Sequence, residues 1–285
     1  MRLFRQIIAS IVLICSTLYI AGISAYLPAW ISMDFLINIQ VVPAILSGSI
    51  AVLIAITALS VLLGRFYCSA ICPLGIMQDL IIRLSNKIHK KHGGKRPQAY
   101  YKKPHNLLRY SLLVLSILSL ILGSSYLLLL LDPYSIFGRI GASVITPLIT
   151  LVNNLIANIT NAAGHYTFSH RAYHWPGIAV IISSALSLGL IVFLNIKYGR
   201  LWCNTLCPVG ALLGLISRVS IFKIHIDKEK CTQCKACAKS CKTHTIDYLH
   251  DYSIDHSRCV SCYNCIDACH FDALKLSSNM KTKDK

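Results

Sequence analysis

The chain has 285 residues, of which 55% are hydrophobic and only 14% charged, too apolar a mix for one soluble domain with an ordinary surface. Its 28 Lys and Arg against 11 Asp and Glu leave a net charge of +17. A basic excess marks a nucleic-acid or a membrane partner, and the apolar content excludes nucleic acid in favour of lipid.

Four segments are long and apolar enough to span a bilayer, which takes roughly 20 residues. They run over 7–27, 41–63, 107–131 and 176–196. The first follows Arg2 and Arg5 and is too long for a signal-peptide core, so it reads as an uncleaved helix. Between the second and third lie Arg83, Lys87, Lys90, Lys91, Lys95, Arg96, Lys102 and Lys103. Residues 28–40 carry no Lys or Arg, and residues 132–175 carry only Arg139 and Arg171. Basic residues stay on the cytoplasmic side, so both termini and the basic connection are expected there. The segment 140–160 places Val144, Leu148, Leu151, Leu155 and Ile159 at helical spacing among asparagines. It is expected as a surface-lying or re-entrant helix on the outer side, not a fifth span.

Each even-numbered span ends in the same motif. Gly64-Arg-Phe-Tyr-Cys68-Ser-Ala-Ile-Cys72-Pro-Leu-Gly75 recurs 135 residues later as Gly199-Arg-Leu-Trp-Cys203-Asn-Thr-Leu-Cys207-Pro-Val-Gly210. The halves therefore read as parallel repeats. The glycine ends a span, the arginine is expected at the interface, and the proline opens an amphipathic helix. A thiol at a helix N-terminus beside an arginine is expected to have a lowered pKa. Cys68, Cys72, Cys203 and Cys207 are thus candidate redox thiols: metal ligands, a thiol–disulfide pair, or neighbours of a quinone. The bland alternative is a set of small boundary residues, since a buried free Cys packs as a small hydrophobe. The doubled, in-register motif argues against it.

The tail carries Cys231-x-x-Cys234-x-x-Cys237-x-x-x-Cys241 and, 28 residues on, Cys259-x-x-Cys262-x-x-Cys265-x-x-x-Cys269. Three cysteines at this spacing wrap one face of an iron–sulfur cubane, and the fourth reaches only the neighbouring cubane. One [4Fe–4S] cluster is then expected on Cys231, Cys234, Cys237 and Cys269, the other on Cys259, Cys262, Cys265 and Cys241. Structural zinc uses paired Cys-x-x-Cys knuckles without the third cysteine, so zinc fits poorly. The bacterial pattern has proline after the fourth cysteine, where this chain has Lys242 and His270. Residues 223–227 and 245–248 read as short strands. Thirteen cysteines in all, eight of them ligands, imply a reducing compartment rather than disulfides.

Four spans, two Cys-x-x-x-Cys-Pro motifs and two ferredoxin motifs together resemble the NapH-type quinol dehydrogenase membrane components, with NosR and CcoG groups as relatives. The resemblance implies a helical membrane domain (1–220, four spans in two parallel halves) and an α+β double-cluster ferredoxin domain (221–285). It implies an oxidoreductase component of a bacterial inner membrane that passes electrons between quinol or quinone and other redox subunits. CcoG relatives imply an alternative, a copper reductase or assembly factor. Candidates for a quinone site are Tyr67 and Trp202, with His165, His170 and His174 as proton acceptors.

Overall fold

The computed structural model describes residues 1–22, 34–91, 101, 103–162, 170–172, 176–250 and 252–278. The end of the first expected span, Lys95, Arg96, Lys102, His165 and His174 lie outside the described residues. Helix α1 (Arg2–Ile20) is followed by two short helices, α2 (Asp34–Asn38) and α3 (Val41–Leu46), and then α4 (Ile50–Leu63). The first motif forms α5 (Tyr67–Ala70) and opens α6 (Pro73–Lys91). The second half repeats the plan with α7 (Asn106–Ile121), α8 (Tyr126–Leu131), α9 (Pro133–Ile140), α10 (Thr146–Ala162), α11 (Ile178–Tyr198) and α12 (Pro208–Ile216). A π-helical turn at Gly141–Ile145 joins α9 to α10 just before Pro147, where a plain helix would meet the proline ring.

Three helices are long and apolar enough to cross a membrane: Arg2–Ile20, Pro133–Ala162 and Ile178–Tyr198. The expected spans 41–63 and 107–131 are instead broken, because Gly48 and Gly123 adopt φ of +69° and +79° and turn the chain between α3 and α4 and between α7 and α8. Helix α8 packs back on α7, and α9 leaves again from Asp132, whose carboxylate caps the Ser135 N–H at 2.7 Å. The chain reverses at Asp132, and the segment expected as a surface-lying or re-entrant helix is part of one long apolar rod, 133–162, long enough by itself to cross a membrane.

Exposure is inverted relative to a soluble protein. Ile178, Ile182, Leu186, Leu190 and Phe193 form an exposed stripe along α11, while Ser16, Ser60, Ser116 and Ser184 are buried between helices. Apolar side chains outside and small polar ones at helix contacts is the pattern that lipid solvation selects. The inner core holds Cys68, Cys72, Cys203 and Cys207 with Tyr67, Leu74, Ile136, Phe137, Ile191 and Trp202.

The tail folds as strand β1 (Phe222–Ile226), α13 (Ala236–Ser240), β2 (Ile246–Asp247), β3 (Ser253–Ile254), α14 (Asn264–Asp267) and β4 (Leu274–Ser278). β1 pairs antiparallel with β4 and β2 with β3, as the two expected strands require. The 28-residue repeat reaches the backbone: left-handed residues pair as Gln233 with Ser261, Lys235 with Tyr263 and His244 with Asp272. A core of Ile224, Ile246, Tyr263 and Leu274 fills the space behind the cysteine loops.

Helices α6 and α12 both begin at the proline of their motif, where the missing N–H costs nothing. Gly75 and Gly210 then pass so close to the carbonyls of Cys68 and Cys203 that a Cβ at either would overlap the oxygen. Gly75→Ala and Gly210→Ala should each destabilise the fold by about 1–3 kcal/mol through overpacking, read as a lower melting temperature in detergent. Gly189→Ala, where nothing lies within 4 Å, should leave melting unchanged or slightly raised.

Candidate functional site

Two small cavities open in the tail. One is lined by Cys231, Cys234, Cys237 and Cys269 with Tyr252 and Leu274. The other is lined by Cys241, Cys259, Cys262 and Cys265 with Thr243, Thr245 and Tyr263. Each thus gathers three cysteines of one motif and the fourth of the other. The empty space is about 290 Å³ and about 330 Å³, including the mouths. Among the described residues, no group of three or more His, Cys, Asp or Glu side chains is arranged to hold a single metal ion. A cradle of four thiols lining one cavity instead fits a cubane, whose irons each take one thiolate.

The two cradles differ in surroundings. The loop carrying Cys259 and Cys262 is bolted to the helical half. Arg65 and Arg109 both donate to the Ser257 carbonyl, at 3.3 and 2.9 Å, and the Ser261 hydroxyl donates to the Leu63 carbonyl at 2.8 Å. The Ser217 hydroxyl donates to the His256 carbonyl at 2.9 Å, and the Arg200 N–H to the Lys242 carbonyl at 3.0 Å. Cys262 packs against the helical core that holds the four boundary thiols. Among the described residues the Cys231 cradle is tied to the helical half more sparsely, by an exposed Arg2–Asp267 ion pair at 2.8 Å; Cys234 is exposed, and so is His270, whereas Lys242 at the equivalent position is buried.

Lys242 reaches Asp79 of α6 at 2.7 Å. Arg200 and Arg5 reach the same carboxylate at 2.7 and 3.3 Å. Burial alone would raise the Asp79 carboxyl, but Arg200, Lys242 and Arg5 hold it below the usual carboxylate range. Sequence reasoning missed this hub. A signal existed, because Asp34, Asp79 and Asp132 are the only acids in the first 220 residues.

The motif arginines do not sit at an interface. Arg65 and Arg200 are both 0% exposed and cross between the halves. Arg65 donates to the Cys203 carbonyl and the Asn204 amide oxygen, at 2.8 and 2.7 Å. Arg200 donates to the carbonyls of Cys68 and Gly75, at 2.9 and 2.6 Å. The four boundary thiols they bring together are buried. The expected activation fails at three of them: burial pushes Cys203 up to about 11, and burial with neighbouring thiols pushes Cys72 and Cys207 well above the usual thiol range. Desolvation outweighs the arginine and the helix end. Cys207 instead accepts the Gly210 N–H at 3.2 Å as a helix cap, and Cys203 donates to Gln78 Oε1 at 3.2 Å. Tyr67 is buried too, donating to Gln40 Oε1 at 2.6 Å, and Trp202 is buried with its indole N–H unpartnered. His170 is exposed.

Two family models match, both described as 4Fe–4S binding domain: one at residues 46–92 and 179–228, the other at 224–247 and 252–275. The first covers both boundary motifs and the second both cysteine loops. The chain is 27% identical to the putative electron transport protein YccM of Escherichia coli, over 89% of this chain and 64% of that protein. It is 24% identical to the ferredoxin-type protein NapH of Escherichia coli, over 81% of this chain and 69% of the relative. An uncharacterized protein of Methanocaldococcus jannaschii is 29% identical, over 84% of each. No solved structure matches. The homologues are ferredoxin-type proteins with 4Fe–4S binding domains, consistent with the NapH-type 4Fe–4S family, as the motifs led one to expect.

Asp79→Asn should cost about 3–5 kcal/mol, because three buried cations lose their counter-charge. Melting in detergent should fall, and limited proteolysis between α12 and β1 should quicken as the tail loosens from α6. An unchanged melting temperature with unchanged proteolysis would show that the hub is not what seats the tail.

Proposed function

We infer that this ferredoxin-type iron–sulfur protein carries electrons at a membrane face, with two [4Fe–4S] clusters held crosswise between its motifs. Residues 1–220 form the membrane domain and 221–285 the cluster domain. Cys231, Cys234, Cys237 and Cys269 hold one cluster, and Cys259, Cys262, Cys265 and Cys241 the other. The observation that carries this reading is that each tail cavity is lined by one of these two quartets. Bound there, the clusters supply one-electron storage.

In the membrane domain, α1 and α4 form one half and α7 and α11 the other, giving four crossings. The matching packing of α1 on α5 and α6, and of α7 on α12 and the turn before it, supports this pairing. The basic connection and both termini lie on the cytoplasmic side of a bacterial inner membrane. Electrons pass between quinol or quinone and a partner redox subunit. The cluster on Cys259 is the membrane-proximal one, since its loop carries the anchors to the helical half, and the exposed Cys231 side faces the partner. Cys68, Cys72, Cys203 and Cys207 lie on the proximal side as the remaining redox-capable thiols. A copper-reductase reading has less support, because the four thiols are buried and burial pushes those of Cys72, Cys203 and Cys207 up.

Anaerobically purified protein should contain about eight iron and about eight acid-labile sulfide per chain, and a reduced quinol analogue should bleach its visible absorbance. Material with neither iron nor sulfide would end the electron-carrier reading. Cys241→Ser should damage the cluster on Cys259, Cys262 and Cys265 more than its neighbour, as seen by spin resonance of the reduced protein; the reverse would overturn the crosswise assignment. Lys242→Met should lower the midpoint potential of that same cluster, since a buried positive charge beside it favours the reduced state. His270→Gln, at the exposed equivalent position, should leave that potential in place.

A further inference from the structure

The two halves each bury an arginine at the same place in their first helix but give it different counter-charges. Arg5 is the fourth residue of α1 and Arg109 the fourth of α7, and both guanidiniums are buried, each 1% exposed. Both reach into the motif of their own half: Arg5 donates to the Ser69 carbonyl at 3.1 Å, Arg109 to the Gly210 carbonyl at 3.3 Å. Arg5 also meets Asp79. The residue 135 positions after Asp79 is Gly214, and the space a side chain there would need is filled by the Arg109 guanidinium itself. Arg109 is left with neutral partners only, the Ser257 carbonyl and hydroxyl and the Gly210 carbonyl. Its Nε has none, and among the described residues no carboxylate lies within ion-pair distance of it. Asp255 is the carboxylate that acts on Arg109, but it is held by Arg258, so the buried Arg109 charge lacks an ion-pair partner of its own, which is costly.

Beside Arg109 lies a cavity of about 200 Å³. Lys103, His105, His244 and Arg258 line it together with Arg109, and no Asp or Glu does. Asp255 pairs with Arg258 at 2.6 Å, which leaves Lys103 and Arg109 as cations facing the space without a carboxylate. Asn204, Thr205 and Thr243 add neutral hydrogen-bonding groups, a lining suited to several oxygens rather than to one. The cavity lies between the start of α7 and the end of α11. Helical half and tail both contribute to it.

We propose that this cavity binds a phosphate-type anion, carried by an anionic phospholipid headgroup or free in solution, whose charge fills in the second half the place that Asp79 holds in the first. The site touches both domains, so its occupant also ties the tail to the membrane boundary. The cations of the first half share one protein carboxylate, whereas in the second half Asp255 serves Arg258 and the ligand serves Arg109 and Lys103.

The test uses the full chain with its iron and sulfide content verified, stripped of lipid in neutral detergent and titrated separately with short-chain phosphatidylglycerol, phosphatidylcholine and inorganic phosphate. Phosphatidylglycerol should bind more tightly than phosphatidylcholine. Lys103→Gln with His105→Gln, both at the exposed rim, should weaken it about fivefold or more. Lys87→Gln with Lys91→Gln, which removes charge elsewhere on the basic connection, should not. Phosphate binding as tight as phosphatidylglycerol, and weakened by the same rim variant, would make free phosphate the source. Equal binding of the two lipids with no phosphate binding, or equal weakening by both double variants, would overturn the proposal. Iron and sulfide counts are unaffected by either outcome, so failure here is distinct from failure of the electron-carrier reading.

Discussion

Everything in this protein turns on a reciprocal exchange of arginines. Arg65 leaves the first motif to bind the Cys203 carbonyl of the second, and Arg200 leaves the second to bind the Cys68 carbonyl of the first. Each guanidinium is fully buried, so each satisfies backbone carbonyls that the motif turn has freed from helical bonding. The motif glycines serve the same exchange. Gly64 and Gly199 end their helices at φ of +69° and +65°, a conformation that costs a side chain dearly, and so aim the next residue inward. Gly75 and Gly210 let the following helix approach the very carbonyls the arginines bind. Glycine, arginine, cysteine and proline in each motif are one device made twice.

On this symmetric frame the tail is set down asymmetrically. Its own two-fold repeat is close in backbone conformation, yet one cysteine loop is clamped by Arg65, Arg109 and the Leu63 carbonyl while the other stays on the outer side. The difference is visible at a single pair of positions: Lys242 is drawn into the Asp79 hub, and His270 faces solvent. The two cysteine loops, alike in backbone, are thereby given different surroundings. Repeats alone do not provide this; docking does.

The apolar helices impose the remaining constraint. Lipid offers no hydrogen bonds, so the polar groups of the interior must find one another. Gln40 with Tyr67, Asp132 with Ser135 and Cys203 with Gln78 are such closures. The same rule explains why the boundary thiols are quiet. A thiolate in that core would lack solvation, and the arginine charges are already committed to carbonyls and to Asp79. An acidic thiol inferred from motif chemistry alone is undone by burial.

Much was legible in the amino-acid order. The cysteine spacings predicted the two quartets that line the tail cavities, because a cubane admits few ways for a short loop to reach it. The 135-residue recurrence predicted two matched halves, and proline at each helix start held. Local rules also placed β1 and β2. Sequence could not show where the two middle apolar stretches break, since Gly48 and Gly123 read equally well as helix residues until a neighbour packs beside them. Nor could it show that Arg65 and Arg200 cross between halves, that Asp79 gathers three cations, or that Arg109 has none of its own. Those pairings join residues from 74 positions apart, Arg5 with Asp79, to 163 apart, Asp79 with Lys242. Local pattern registers the nature of a side chain and its period along the chain; only tertiary packing decides which distant partner it meets and which charge is left without one.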